Sequence, residues 1–143
     1  MDIEVKLFHK DIDKSSFERI KKVVDDSGID EPVYWEQVEF YILGECEKGV
    51  ISIILYAKQS MDNGTFIPRF MHIITTPDFK RSKASYIVLK QSQVLLKNDG
   101  YNQIFLSRRH DLPRREMKRN MAVNFGYVKY FEDTERELFY KNI

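Results

Sequence analysis

Three cationic side chains lie close together in the sequence, between a segment with the pattern of an apolar strand and a segment with the pattern of an amphipathic helix. Residues 73–96 read IITTPDFKRSKASYIVLKQSQVLL, in which strand, short loop and helix follow one another directly. The first turn of a helix offers unpaired backbone N–H groups and the positive end of the helix dipole, so cations beside it favour a bound anion, above all a phosphate. A solvated turn is the alternative, because long cationic side chains are normally exposed. The residues predicted to contact the phosphate are Lys80, Arg81, Ser82, Lys83, Ala84 and Ser85.

The elements that must position this loop are indicated by the periodicity of the apolar residues. Alternation over residues 2–8 predicts a strand with one buried face, and the helical spacing of Phe17, Ile20 and Val24 predicts a helix over 15–27. The complete predicted order is β-α-β-β-β-α-β-α-β-β. The remaining strands are predicted over 38–46, 50–58, 66–75, 103–107, 128–133 and 136–141, and the remaining helices over 82–98 and 111–126.

Individual residues in the sequence indicate where the first helix begins and ends and where a strand is irregular. Ser15 followed by Glu18 is typical of a capping box, and Gly28 is a C-terminal stop for the same helix. Pro68 has no N–H to give to a sheet. The strand over 66–75 is therefore predicted to carry a bulge or an unpaired residue near that proline.

The composition indicates one ordered globular domain over 1–143. Of the 143 residues, 43% are hydrophobic and 31% are charged, which suits a chain that buries a core. The 23 Lys and Arg residues nearly cancel the 22 Asp and Glu residues, and this balance argues against a surface built for nucleic acid. Acids interrupt the first apolar segment and no apolar stretch is long enough for a membrane span, so we expect a cytoplasmic protein that does not contact a membrane.

The cysteine and the histidines predict neither a disulfide nor a metal site. Cys46 is the single cysteine, which agrees with a reducing compartment, and its apolar strand predicts a packing role. The three histidines, His9, His72 and His110, lie far apart in the sequence. Because no HExxH or paired-cysteine spacing accompanies them, we predict no bound metal.

The order of elements resembles the GNAT family of acetyl-CoA-dependent N-acetyltransferases over essentially the whole chain. In that family the fourth strand leads into a loop of pattern Q/R-x-x-G-x-G/A, whose amides hold the CoA pyrophosphate. A gap between the fourth and fifth strands admits the pantetheine arm. The segment PDFKRSKAS, residues 77–85, occupies the position of that loop.

The loop departs from the family pattern in its glycines. One frame places Lys80 at the cationic position, with Lys83 and Ser85 where the glycines stand. A shift by one residue places Arg81, Ala84 and Tyr86 there. Both frames lack glycine, and a Cβ obstructs close approach of the backbone to a pyrophosphate and disfavours a positive φ.

A second stretch, MAVNFGY at 121–127, resembles the family's motif at the end of its last helix. Gly126 and Tyr127 fit the closing pair, whereas Ala122 stands where many members carry the tyrosine that protonates the leaving thiolate. The resemblance implies an α/β (α+β) fold with a mixed, largely antiparallel sheet of about seven strands and helices on both faces. It also implies acetyl-CoA as the cofactor.

An acyltransferase of this kind needs a base, because the amine acceptor must lose a proton before it attacks the thioester. His72, on the fourth predicted strand, is the candidate base, with Glu39 or Glu45 as substitutes. The alternative for His72 is a partly buried, hydrogen-bonded side chain without a catalytic role. Tyr127 or Tyr130 would have to replace the missing acid.

The strongest local charge bias is RRHDLPRREMKR, residues 108–119, with six Lys or Arg residues against two acids. On the predicted third helix, Arg115, Lys118 and Arg119 share one arc. They would contact phosphates of CoA or nucleic acid, or an acidic protein surface. A solvated face or a protein contact is favoured over nucleic acid, because no base-reading motif is present.

Two functions follow from these patterns. The first is a weak or inactive acyltransferase-like protein that binds acetyl-CoA at the cationic corner and takes an amine acceptor. The second is a catalytically inert interaction or assembly module, with Tyr34, Trp35 and Phe139 as exposed contact residues. The chain also resembles, in size and in its aromatic and lysine content, short GNAT-like proteins of bacteriophages, some of which are particle components, so host cytoplasm or virion is the expected location.

The two hypotheses can be distinguished by the gap between the fourth and fifth strands. An enzyme needs that gap to be open and to reach the start of the following helix. An inert module permits large side chains such as Phe70, Phe105 or Tyr86 to fill it.

Overall fold

The computed structural model describes residues 2–29, 31–111 and 124–143. Short 3₁₀ turns lie at Trp35–Gln37 and Pro77–Phe79. The longer elements, in chain order, are β1 (Glu4–His9), α1 (Lys14–Asp26), β2 (Phe40–Cys46), β3 (Gly49–Ser60), β4 (Phe66–Thr75), α2 (Lys83–Asn98), β5 (Gln103–Arg109), β6 (Val128–Glu132) and β7 (Arg136–Asn142).

The seven strands form one sheet in the order β1-β2-β3-β4-β5-β7-β6. Neighbouring strands are antiparallel except β4 and β5, which run parallel. This confirms the predicted mixed, largely antiparallel sheet. The predicted third helix over 111–126 falls mostly outside the described residues.

One helix packs on each face of the sheet, as predicted. On one face Ile20 and Val24 of α1 are fully buried against β2, β3 and β4. On the other face Val88 and Leu96 of α2 are fully buried, with Phe40 of β2 among the residues they meet. We call these the α1 face and the α2 face. No helix in the described part of the chain is long and apolar enough to cross a membrane.

The start of α1 differs from the predicted capping box. The N-cap is Asp13, whose Oδ1 accepts the N–H of Ser16 at 3.0 Å, so Ser15 lies inside the helix. An aspartate two residues earlier competes for the same amides and wins because its carboxylate is also favourable at the positive end of the helix. At the other end the stop was correctly predicted, since Gly28 has φ +73°.

Two further predictions need correction. Phe139 is 5% exposed and packs in the core of the α2 face, so it is not a surface contact residue, and Trp35 is only partly exposed beside Phe17. Pro68 stays in register with Lys58, and the irregularity in β4 comes after it. Tyr34 is exposed as predicted, with half of its surface accessible.

A close approach between α2 and β2 fixes the helix on the sheet. A Cβ added to Gly44 of β2 would lie 3.1 Å from Val88 Cβ and would overlap the Val88 methyl groups. The glycine therefore lets α2, and the cationic corner at its start, sit directly on the strand.

We expect Gly44→Ala to lower the free energy of unfolding by about 1–3 kcal/mol, because the new methyl group overpacks a site with little freedom to yield. Urea unfolding measures the change. In the double variant with Val88→Ala the loss should be smaller than the sum of the two single losses. Strictly additive losses would contradict the contact.

Tyr56 of β3 provides a pH-dependent test of the core beside the gap. Its ring stacks on Phe40 at 5.3 Å and meets Phe70 edge-on at 6.1 Å. Burial raises the pKa of Tyr56 to about 12. The unfolded chain therefore loses this proton first as the pH rises above the ordinary tyrosine value, and folding loses stability there.

Below the ordinary pKa Tyr56 is neutral in both states and its contribution is intact. Between about pH 9 and about pH 11 the wild type should lose about 1.4 kcal/mol more than Tyr56→Phe, which keeps the ring and removes the ionisable group. Urea unfolding at the two pH values measures this. An equal loss in both proteins would show that Tyr56 ionises normally.

Candidate functional site

The sheet opens at a bulge in β4. Tyr56 of β3 lies opposite Phe70 and Leu55 lies opposite His72, so Met71 between them has no partner on β3. A bulge bends its strand and strengthens the local twist. On its other side β4 pairs with β5 only at Arg69 and Phe70. The two parallel strands therefore separate beyond Phe70, and a gap opens at this point.

A cavity of about 660 Å³ occupies this separation, within the size range of small-molecule sites. Its walls come from the loop after α1, the turn before β4, the strands β4 and β5, and the hairpin of β6 and β7. The lining residues that could bind or react are Glu31, Arg69, His72, Phe105, Tyr130 and Arg136.

His72 and Glu31 form a buried pair in the wall of the cavity. Nδ1 of His72 lies 3.4 Å from Oε2 of Glu31, and the two residues are 5% and 4% exposed. His72 shares the α1 face with Leu55, its partner on β3, and Glu31 arrives from the loop that follows α1. A carboxylate beside an imidazole orients the ring and stabilises the positive charge that the ring gains when it accepts a proton, as a general base does.

The structure therefore supplies a partner that the sequence did not indicate. Glu31 lies between a helix stop and Pro32, in a segment with no motif, and its contact with His72 depends on how α1 crosses the sheet. The predicted substitutes lie elsewhere. Glu45 pairs with Arg19 at 2.8 Å, and neither Glu39 nor Glu45 lines the cavity. The role of His72 as base stays a prediction.

The two candidate acids lie at different places. Tyr130 lines the cavity and is half exposed, and burial raises its pKa while Arg136 opposes that change. Tyr127 packs against the core of the α2 face, where burial and the nearby Tyr56 raise its pKa above the usual range. Both phenols therefore stay protonated near neutral pH, as a proton donor must. Ala122 lies outside the described residues.

In the cationic corner the amides of Ser82 and Ser85, which were predicted to contact a phosphate, already have acceptors. Ser82 is the N-cap of α2, and its Oγ accepts the N–H of Ser85 at 3.3 Å. The N–H groups of Phe79, Lys80 and Ser82 are used by carbonyls within the loop. Part of the corner is thus satisfied internally.

Three backbone donors are left at this corner. In the hydrogen bonds of the described residues, the N–H groups of Arg81, Lys83 and Ala84 have no acceptor. The side chains of Lys80, Arg81 and Lys83 are exposed around them. The corner therefore retains donors and charge that suit a phosphate.

The absence of glycine causes less backbone strain in this loop than the family pattern suggests. Only Arg81 has a positive φ in this loop, at +58°, while Lys83 and Ala84 lie within α2. A helical residue needs no glycine for its backbone, so the strain is confined to Arg81. Side-chain bulk, not backbone conformation, is what separates this loop from a glycine-rich one.

None of the three suspected plugs fills the gap. Phe70 is buried in the core of the α2 face and Phe105 forms part of the cavity wall. Tyr86 is 47% exposed on α2, where it contacts Phe125. The gap is open on the α1 face. Among the described lining residues none belongs to the cationic corner.

The interpretation of the basic stretch over 108–119 needs correction at its first residue. Arg108 is 4% exposed and forms an ion pair with the buried Glu137, so it does not belong to a solvated face. Arg109 is exposed and bonds Asp111 at 3.1 Å. Residues 112–119, with the rest of the predicted cationic arc, lie outside the described residues.

One group of side chains has the composition of a metal site. His110, Glu132 and Glu137 place ligand atoms within 4.8 Å of one another. Arg108 already neutralises Glu137, which removes the charge that a cation would need. Exposed acidic groups of this kind are common without an ion. The prediction that no metal binds stays a prediction.

Solved structures share this arrangement of strands and helices. A GNAT-family acetyltransferase described as putative, from Desulfovibrio desulfuricans, aligns with a TM-score of 0.68 at 10% identity, over 97% of this chain and 99% of that one. The PaiA N-acetyltransferase of Thermoplasma acidophilum in complex with coenzyme A aligns with a TM-score of 0.66 at 13% identity, over 100% of both chains. No protein-family model and no curated protein matches the sequence.

A third structure contains an acceptor mimic as well. Arabidopsis thaliana Naa50 in complex with the bisubstrate analogue CoA-Ac-MVNAL aligns with a TM-score of 0.67 at 10% identity, over 97% of this chain and 99% of that one. These likenesses show that the chain has the fold of GNAT acetyltransferases. At such identities they show the fold alone, so the function must be argued from the side chains.

Proposed function

We propose that this protein is a slow acyl-CoA-dependent N-acyltransferase. The observation that carries the proposal is the open gap between β4 and β5, with the buried pair His72 and Glu31 in its wall. Solved proteins of the same fold bind coenzyme A, or an analogue that joins CoA to a peptide. A closed gap would have favoured an inert scaffold.

The cationic corner would hold the CoA pyrophosphate. Among the described residues the N–H groups of Arg81, Lys83 and Ala84 have no acceptor, which supports an anion site at the start of α2, and Lys80 adds an exposed charge. Acetyl-CoA, when bound, supplies the activated acyl group. The open strands give the thioester a path towards the α1 face, where the cavity lies.

The acceptor amine would enter the cavity from the α1 face. His72 accepts the proton of the amine, directly or through one water, and Glu31 holds the imidazole in place and stabilises its charged form. Tyr130 is the cavity residue that can return a proton to the leaving thiolate. The exposed position of Tyr130 and the strained Arg81 are reasons to expect slow turnover.

The inert assembly module is the second candidate, and the outer strand supports it. All five residues of β6 are exposed, among them Val128 and Phe131, and β6 ends the sheet. An apolar edge strand can pair with another chain. Failure of both experiments below would leave this function.

We expect acetyl-CoA to release or absorb measurable heat on binding at low ionic strength. The double variant Lys80→Ala/Lys83→Ala should weaken binding about tenfold or more, because charge-assisted contacts to a phosphate are lost. Isothermal calorimetry measures the affinity. The control Lys22→Ala/Lys48→Ala removes two exposed lysines elsewhere and should bind like the wild type. The absence of heat at millimolar acetyl-CoA would end the proposal.

We expect His72→Gln to lower kcat by about 10²- to 10⁴-fold, the usual contribution of a general base, without changing the affinity for acetyl-CoA. Glu31→Gln should give a smaller loss of kcat, because the amide still lies beside the imidazole but the negative charge of the carboxylate is lost. Steady-state release of free CoA measures both.

The control for this pair is His9→Gln, which alters a histidine 3.4 Å from Asp99 and outside the cavity. It should keep the wild-type rate. If His72→Gln retained full kcat, His72 would have only a structural role.

A further inference from the structure

Two arginines of the cavity carry charge that the described protein does not neutralise. Arg69 and Arg136 both line the cavity, and no acidic side chain of the described residues forms an ion pair with either. Arg109 also lines it, but its Nε and Nη2 bond Asp111 at 3.2 and 3.1 Å. Arg69 and Arg136 therefore differ from Arg109 in having no carboxylate partner among the described residues.

Arg69 is partly buried, whereas Arg136 is exposed. Nη2 of Arg69 donates to Oε1 of Gln37 at 3.3 Å, whereas its Nε is buried and has no acceptor among the described residues. Burial, and after it the charge of Arg136, lowers the pKa of Arg69. A buried donor without an acceptor is costly, and so are two like charges at one cavity. A bound anion would remove both costs.

Two of the acids near these arginines are engaged elsewhere, whereas Asp62 and Glu135 also line the cavity and form no ion pair with either arginine among the described residues. Asp133 is the carboxylate that senses the charge of Arg136, and it accepts the backbone N–H groups of Glu135 and Arg136 at 2.8 and 2.9 Å. Glu31 faces His72. The cavity thus has an arginine end and a histidine–carboxylate end.

The two ends lie on the same face and a short distance apart. Arg69 is opposite Ala57 and His72 is opposite Leu55, and both partners belong to the core of the α1 face. Two residues along β3 correspond to about 7 Å. The backbones that carry the two side chains are therefore close enough for one small molecule to contact both.

We propose that the acceptor is a small amine that carries a carboxylate, with the carboxylate on Arg69 and Arg136 and the amine beside His72 and Glu31. This inference rests on the acyl transfer proposed above and names the class of its acceptor. Guanidinium groups bind carboxylates in a planar, two-point arrangement, which also orients the amine.

The phosphates of CoA are a poorer explanation for these arginines. The cationic corner begins α2, which packs on the opposite face of the sheet from Arg69. That corner has its own free amides and cations. The arginine end is therefore assigned to the acceptor.

The experiment compares amino acids with their carboxamides. Each of the common L-amino acids, and each corresponding amino acid amide, is tested singly as acceptor with acetyl-CoA, and release of free CoA is measured. Binding of each acid and of its amide to the protein with CoA is measured by calorimetry, where no transfer takes place, whether or not that acid is an acceptor. We expect the acid to be preferred over its amide by about 10- to 100-fold in kcat/KM and in affinity.

Variants then assign the preference to the arginines. Arg69→Gln and Arg136→Gln should each reduce the preference for the acid by about tenfold or more while the weak reaction with the amide is kept. Arg19→Gln removes an arginine of α1 that pairs with Glu45 of β2. This control should leave the preference intact.

The possible outcomes separate the two proposals. Transfer to amides as fast as to acids would overturn the carboxylate site and leave the acyltransferase standing. Acid-specific binding without transfer to any amine would keep the carboxylate site and overturn the acyltransferase. Equal binding of acid and amide in wild type and variants would overturn the inference directly.

Discussion

The separation of β4 from β5 is the constraint on which the rest of the site depends. One extra residue, Met71, breaks the ladder with β3, and the parallel pairing with β5 stops at Phe70. Hydrogen bonds between strands are normally continuous, because unpaired backbone groups in a core are costly. An interruption at the centre of the sheet therefore identifies the place where a ligand can enter.

The two faces of the sheet differ in the chemistry that they offer. On the α2 face the start of a helix gives free amides and lysines, which suit a phosphate. On the α1 face the cavity holds a histidine–carboxylate pair and two arginines that form no ion pair among the described residues. Under the proposed function, the acyl donor would bind on one face and the acceptor on the other, which would keep their binding sites apart.

The state of each charge decides its role in this molecule. Arg108 is neutralised by Glu137, and Arg109 by Asp111, so both serve the structure. Arg69 and Arg136 line a cavity and form no ion pair among the described residues. The likeness to solved acetyltransferases gives the fold, and the proposed site rests on this difference between paired and unpaired charge.

The sequence by itself predicted the order of the described elements and the cations beside the start of α2, because these depend on periodicity, turns and caps that act over a few residues, while the sheet type was implied by the resemblance to the GNAT family. The sequence misplaced the cap of α1 and the burial of Phe139, where neighbouring signals compete. Only the tertiary structure brought Glu31 to His72 and placed Arg69 beside Arg136 at one cavity. Such contacts join residues distant in the chain, and their geometry is set by how α1 crosses the sheet and where β4 bulges, which no local pattern records.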